Sequence, residues 1–205
     1  MKLLVSPAKS LNYESPLPHA NCSQPVFVNE AAALNMALRK KSPVELKALM
    51  GISDKLAELN WIRNQSFTTP FTSDNARPAV YAFDGDVYTG LDAYTIKEEK
   101  WDTLNNSLRI LSGLYGVLKP FDLMQPYRLE MGTSFGVNGS KNLYVFWQEK
   151  ITAQLNSELQ SDELVVNLAS KEYASAVSLA DLDATVIEPI FKDYKNGNLK
   201  IISFY

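Results

Sequence analysis

Three observations predict a mixed α/β (α+β) fold, one domain over residues 1–205 built around a central mixed sheet. Short β-rich runs stand between longer amphipathic stretches, the two kinds of element mix without strict alternation, and no segment repeats. A chain of 205 residues with 46% hydrophobic and 21% charged residues can bury a sizeable core, which excludes disordered and collagen-like classes.

Residues 2–5, Lys-Leu-Leu-Val, read as a short buried strand, stopped by Ser6-Pro7 because proline cannot donate to a sheet ladder. Pro7, Pro16, Pro18 and Pro25 make the next twenty residues a loop. Alanine and leucine at helical spacing predict a helix over 29–40. Ser42-Pro43-Val44-Glu45 carries three start signals for the next helix: a hydroxyl cap, proline at the first helical position and a glutamate placed for a capping box. Gly51 ends that helix, and Ser53 caps another through Gln65, with Leu56, Leu59 and Ile62 predicted on its packed face. Ser73-Asp74-Asn75 predicts a helix to Phe83, and glycines among aromatic and β-branched residues predict turns and a strand over 84–94. Helices are expected over 98–111 and, the longest, 143–159. Strands are expected over 164–168, 185–191 and 199–204, the last two joined at Asn196-Gly197, where glycine tolerates a positive backbone angle.

No apolar run approaches the roughly 20 residues of a membrane span. The start of the chain lacks the apolar core of a secretory signal, and Cys22 is the single cysteine, so a cytoplasmic protein is expected. His19-x-x-Cys22 falls two ligands short of a zinc site, and neither a metal nor another cofactor is expected. With one histidine and no Glu-x-x-His pair, iron storage by a carboxylate–histidine centre is not expected either.

The stretch from Leu46 to Leu59 reads as two short amphipathic helices joined by Gly51-Ile52-Ser53, within a helical pair spanning about 43–65. It resembles a helix-hairpin-helix, in which backbone N–H groups and a helix N-terminus bind a phosphate without reading a base. Gly51 suits a backbone that must approach a phosphate closely, Ala57 suits close helix packing, and Ser53 departs from the usual second glycine. From Arg39 to Arg63 the chain carries a local charge of plus three, against minus three overall. That is a footprint for a polyanion, and equally the solvated face of an ordinary helical hairpin. The expected phosphate contacts are Lys47, Gly51, Ile52, Ser53, Lys55 and Arg63.

Ser6-x-x-Lys9 has the spacing of serine β-lactamases, with Ser73-Asp74-Asn75 as their second triplet. The reading fails because the catalytic pair needs a helix, whereas Pro7 follows a strand, and no Lys-Thr-Gly exists. What remains is a polar loop at the carboxyl end of a strand, where α/β sheets bind ligands and Ser6 and Lys9 can hold an anion. Gly85-Asp86-Val87-Tyr88-Thr89-Gly90 continues with Leu91, which excludes a nucleotide-binding P-loop. Arg128 and Glu130, two apart, share a face if extended, either as an ion pair or as part of a polar site.

Ser6-Pro7-Ala8-Lys9, Ile52-Ser53-Asp54-Lys55-Leu56-Ala57, Gly85-Asp86-Val87-Tyr88-Thr89-Gly90-Leu91 and the run from Leu111 to Met131 together resemble the YaaA family of bacterial peroxide-stress proteins. Asn167-Leu168-Ala169-Ser170, Glu172-Tyr173 and the terminal Lys200-Ile201-Ile202-Ser203-Phe204-Tyr205 extend the resemblance across the chain. Members of that family continue past these last residues with a basic segment that this sequence does not include. The resemblance implies a cytoplasmic protein that limits free iron, and the damage iron causes, during hydrogen peroxide stress. It also implies an α/β fold with a helix-hairpin-helix and a positively charged cleft that binds double-stranded DNA. Two functions therefore compete: sequence-independent duplex binding without catalysis, and an enzyme of unknown reaction with a pocket of Ser6, Lys9, Asp86, Tyr88, Arg128 and Glu130. No stable protein partner is expected.

Overall fold

The computed structural model describes residues 1–18, 22–195 and 197–201. In chain order they form β1 (Lys2–Val5), β2 (Ser10–Leu11), α1 (Val28–Arg39), α2 (Pro43–Met50), α3 (Asp54–Ser66), β3 (Arg77–Pro78), α4 (Ala79–Ala82), β4 (Phe83–Asp84) and α5 (Asp86–Leu91). There follow α6 (Trp101–Ser107), β5 (Leu108–Ser112), β6 (Gly116–Leu118), β7 (Leu123–Met124), α7 (Leu143–Glu158), β8 (Leu164–Asn167), α8 (Lys171–Ala174), β9 (Thr185–Ile187), β10 (Lys192–Lys195) and β11 (Asn198–Ile201).

The mixed α/β class is what the sequence predicts. Five strands in the order β6-β5-β1-β8-β9 make the central sheet. β1 runs parallel to both neighbours, with Leu4 opposite Arg109 of β5 and Asn167 of β8; β9 continues parallel, and β6 turns back antiparallel. A strand covered on both faces needs apolar residues without alternation, and Leu4, Val5, Ile110, Leu111 and Val165 are all buried. Helix α7 spans the connection between the β5–β6 hairpin and β8. Asn142 caps it by accepting from the Val145 amide at 2.9 Å, and Leu143, Phe146, Trp147, Ile151 and Leu155 form its buried stripe.

Four local expectations fail, each for a physical reason. The helix over 73–83 is absent: the Asn75 side chain turns back to accept from the Thr72 amide at 2.9 Å, and Pro78 biases Arg77 toward extended backbone. Only one helical turn, α4, follows before β4. The expected strand within 84–94 is instead helix α5, whose first turn closes on the Gly85 carbonyl through the Tyr88 and Thr89 amides. Residues 98–111 stop being helical at Ser107, because Leu108–Ser112 is a fully buried strand in which Arg109 broke the apolar signal. The Arg109 guanidinium is nonetheless satisfied, by Glu158 at 2.6 Å and the carbonyls of Asn105 and Leu108. Finally, Thr185–Ile187 joins the central sheet, and the terminal hairpin pairs β10 with β11 around Gly197, whose φ is +76°. Asn196, the far end of the strand expected over 199–204, and His19 of the His19-x-x-Cys22 pair lie outside the described residues.

Candidate functional site

The helical hairpin is built as its capping residues dictate. At the start of α2 the Ser42 hydroxyl accepts from the Glu45 amide, while the Glu45 carboxylate accepts from the Ser42 amide at 2.8 Å. That backbone hydrogen bond, then the one from the Ser42 hydroxyl, holds the Glu45 carboxyl below its usual range. Gly51 ends the helix at φ +62°, with its amide donating to the Lys47 carbonyl at 2.9 Å, and a Cβ there would meet no atom within 4 Å. Ser53 then caps α3 by accepting from the Leu56 amide at 3.3 Å. Gly51, Ser53, Asp54 and Lys55 are exposed at the turn, whereas Ile52 and Ala57 are buried.

Two of the expected phosphate ligands are not free at this turn. Lys47 Nζ is paired with the Asp54 carboxylate at 2.8 Å. Arg63 stands eight residues along α3 from Lys55, about 12 Å at a helical rise of 1.5 Å per residue, and donates to Asn60 Oδ1. The packed face of α3 also differs from expectation. Leu56, Leu59 and Ile62 are 36%, 40% and 49% exposed, and the helix buries Ala57, Asn60 and Asn64 instead. Its neighbours α1 and α2 accept that polar face because Asn60 Nδ2 reaches its own helix at the Leu56 carbonyl and Asn35 pairs with Asn64.

A second cluster forms at the carboxyl edge of the sheet, where the loops after β1, β5 and β8 leave together. The Ser6 hydroxyl accepts from the Ser170 amide at 2.9 Å and donates to the Ser170 hydroxyl at 3.2 Å. The Ser6 carbonyl accepts from the Tyr88 hydroxyl at 2.9 Å, which ties α5 to the same loop. Glu130 bridges two cations, Lys9 at 2.9 Å and Arg128 at 2.8 Å, so the face shared by Arg128 and Glu130 is an ion pair open to a third partner. Gly113 lets this segment dock: a Cβ there would lie 2.1 Å from the Leu129 carbonyl oxygen. Burial pushes the phenols of Tyr88, Tyr127 and Tyr173 above their usual range, so all three remain neutral hydrogen-bonding groups.

Of the six pocket residues named from sequence, Ser6 and Tyr88 are joined by a hydrogen bond and Lys9, Arg128 and Glu130 by ion pairs, two sets that the loop after β1 carries side by side through Ser6 and Lys9. Asp86 does not join them; it is exposed on α5, and no side-chain hydrogen bond or ion pair links it to the others. Sequence reasoning left out Ser112, Tyr127, Ser170, Glu172 and Tyr173. Tyr127 shares a hydrogen bond of 2.6 Å with Ser112 at the end of β5, and Glu172 accepts from the Gly132 amide at 2.9 Å. The signal for Ser170 was available: two parallel strands expected in one sheet send their following loops to the same edge. At the opposite edge a larger recess of about 210 Å³ is lined by Arg109, Lys119, Asp122 and Glu158, whose charges already serve one another. Burial raises the Asp122 carboxyl above the usual range, against hydrogen bonds from Ser23 and the Lys119 amide that lower it.

No group of three or more His, Cys, Asp or Glu side chains able to hold a metal gathers among the described residues. No helix among them is long and apolar enough to cross a membrane. The molecule is thus a mixed α/β protein with a polar site at the carboxyl edge of a largely parallel sheet and a capped helical hairpin beside it. The chain belongs to the family described as peroxide stress protein YaaA, whose sequence profile matches residues 1–205. It is 61% identical to a UPF0246 protein of Flavobacterium johnsoniae, across the whole of this chain and 81% of that relative. Identity is 56% to a UPF0246 protein of Flavobacterium psychrophilum over the same shares, and 53% to one of Aliivibrio fischeri, of which 80% is covered.

Proposed function

We propose that this member of the peroxide-stress family acts in the cytoplasm by binding double-stranded DNA, without sequence preference, through the helical hairpin, and thereby limits iron-dependent oxidative damage. The observation that carries the reading is the turn at Gly51. Its left-handed backbone and the empty space where a side chain would stand leave the start of the 13-residue helix α3 open to a phosphate. Lys55 adds an exposed cation. Asp54, in the first turn of α3, competes for the same helix end, and the chain's net charge is minus three, so affinity is weak and falls with salt.

Lys55→Ala tests this directly. It lowers affinity equally for two unrelated duplexes and reduces the slope of log affinity against log salt by about 0.9. Ser53→Gly retains binding because the amide remains. Gly51→Val removes it, and circular dichroism verifies folding of each variant, since a side chain at φ +62° strains the backbone although its Cβ meets no atom within 4 Å. Undiminished binding by folded Gly51→Val defeats the proposal.

A second reading is favoured by the ion-paired Lys9, Glu130 and Arg128 on the loop that also carries the Ser6–Tyr88 hydrogen bond: the sheet edge is a small-molecule site, as in an enzyme of unknown reaction.

A further inference from the structure

We propose that the recess at the carboxyl edge of the sheet binds the oxyanion group of a small solute, a carboxylate or a phosphate, through Lys9, Arg128 and Tyr173, with the Glu130 carboxylate occupying that position in its absence. The inference rests on the second reading above, that this edge is a small-molecule site.

Charge is the first support. Lys9 and Arg128 converge on the single carboxylate of Glu130, at 2.9 and 2.8 Å, one on each oxygen. The lining of the recess holds two cations, Lys9 and Arg128, and one carboxylate, Glu130, while the charge of the Glu172 carboxylate also reaches Tyr173. The excess in that lining is positive in a chain whose overall charge is negative.

Unmet hydrogen bonding is the second. Arg128 Nε is buried without an acceptor among the described residues, although a guanidinium presents donors on a fixed planar fork and a buried unpaired N–H is costly. Glu130 engages only Nη2 of that fork. A ligand oxyanion facing the Nε–Nη2 edge accepts from both, a two-point contact that Glu130 does not make here. Tyr173 lines the same recess, and burial keeps its phenol neutral, so that with the Met131 backbone hydrogen-bonded to its oxygen its O–H is left to donate.

Position and size agree. β5 and β8 flank β1 on opposite sides, the arrangement at whose carboxyl edge α/β sheets bind ligands. The recess measures only about 20 Å³ with Glu130 in place, so a ligand enters by displacing that carboxylate. Lys9, 64% exposed, and Glu130, 26% exposed, border solvent and can swing to admit it.

Arginine Nε–Hε spectra of the full chain, titrated at constant ionic strength, test the idea, since five arginines make the spectrum assignable with Arg128→Lys. The probes are inorganic phosphate, acetate, neutral acetamide and a short DNA duplex. The Arg128 signal is expected to shift saturably with phosphate or acetate. Glu130→Gln tightens that binding at least threefold by removing the internal competitor, Lys9→Ala weakens it at least threefold, and Lys97→Ala leaves it unchanged. A non-saturating shift, or one equal in parent and Lys9→Ala, overturns the proposal, as does a shift with the duplex and not with phosphate or acetate. A response to acetamide alone overturns the anion assignment and leaves the small-molecule reading standing. No response to any probe ends both.

Discussion

Gly113→Ala is the substitution whose consequence can be worked most directly from the structure. Gly113 follows β5 and receives the 127–130 segment that carries Arg128 and Glu130; an alanine Cβ would sit 2.1 Å from the Leu129 carbonyl oxygen and 3.0 Å from its carbon. Ordinary non-bonded separations are about 3.5 Å, so the segment must move by about 1 Å or more. What is struck is backbone and not the end of a flexible side chain, so the cost belongs at the upper end of the overpacking range, about 3 kcal/mol. The same displacement pulls Glu130 away from Lys9 and breaks the sheet-edge cluster. Gly90→Ala is the control: it adds the same methyl within α5, where nothing lies within 4 Å, and is expected to stabilise by about 0.5–1 kcal/mol. Urea denaturation of both variants, compared at equal slope, reads the difference. Gly113→Ala as stable as the parent would refute the packing argument, and so would a destabilising Gly90→Ala.

Other substitutions probe separate parts of the account. Trp147→Phe strands the buried Gly113 carbonyl, which now accepts from Trp147 Nε1 at 2.9 Å, and is expected to cost roughly 2–4 kcal/mol by thermal or chemical denaturation. Asp122→Asn keeps both hydrogen bonds, accepting from the Lys119 amide and donating to Ser23. Because burial raises the Asp122 carboxyl, its contribution to stability is present below the unfolded value of about 3.9 and is lost as pH rises through the folded one. The asparagine variant therefore gains on the parent as pH rises through that window, and equal pH profiles would contradict the assignment. Leu59→Ser on the exposed side of α3 changes stability by no more than about 0.5 kcal/mol. Ala57→Leu, at a position of α3 only 1% exposed, costs about 1–3 kcal/mol, and a reversal of that order would show the face of α3 to be misassigned.

Much of this molecule could be read from residues with strong local chemistry. Pro7 ends β1 where expected, the Ser42–Glu45 capping box and Gly51 bound α2 to within a residue, and the apolar stripe of α7 marked the longest helix. Errors arose where long-range packing overrode the local pattern. Arg109 sits in the middle of a buried strand because Glu158, 49 residues away, accepts from it, and nothing near Arg109 in sequence announces that partner. Helix α3 turns asparagines inward because α1 presents Asn35 to Asn64, so leucine spacing pointed to the wrong face. At the sheet edge the sequence named Lys9, Arg128 and Glu130, since charge next to a strand end or on a shared face is a local signal. It left out Ser170 and Tyr173, which reach the site only through the pairing of β8 with β1. It also included Asp86, whose helix turns it to solvent.

The central functional claim is that duplex DNA contacts this protein at the hairpin turn, and amide chemical-shift mapping of the full chain with a short duplex at low salt tests it most directly. The account predicts that the largest shifts fall on Gly51, Ser53, Asp54 and Lys55, appear equally with an unrelated sequence and vanish as salt is raised. Shifts confined to the loop of Ser6 and Lys9 and the Arg128–Glu130 segment, with the Gly51 turn unmoved, would contradict it.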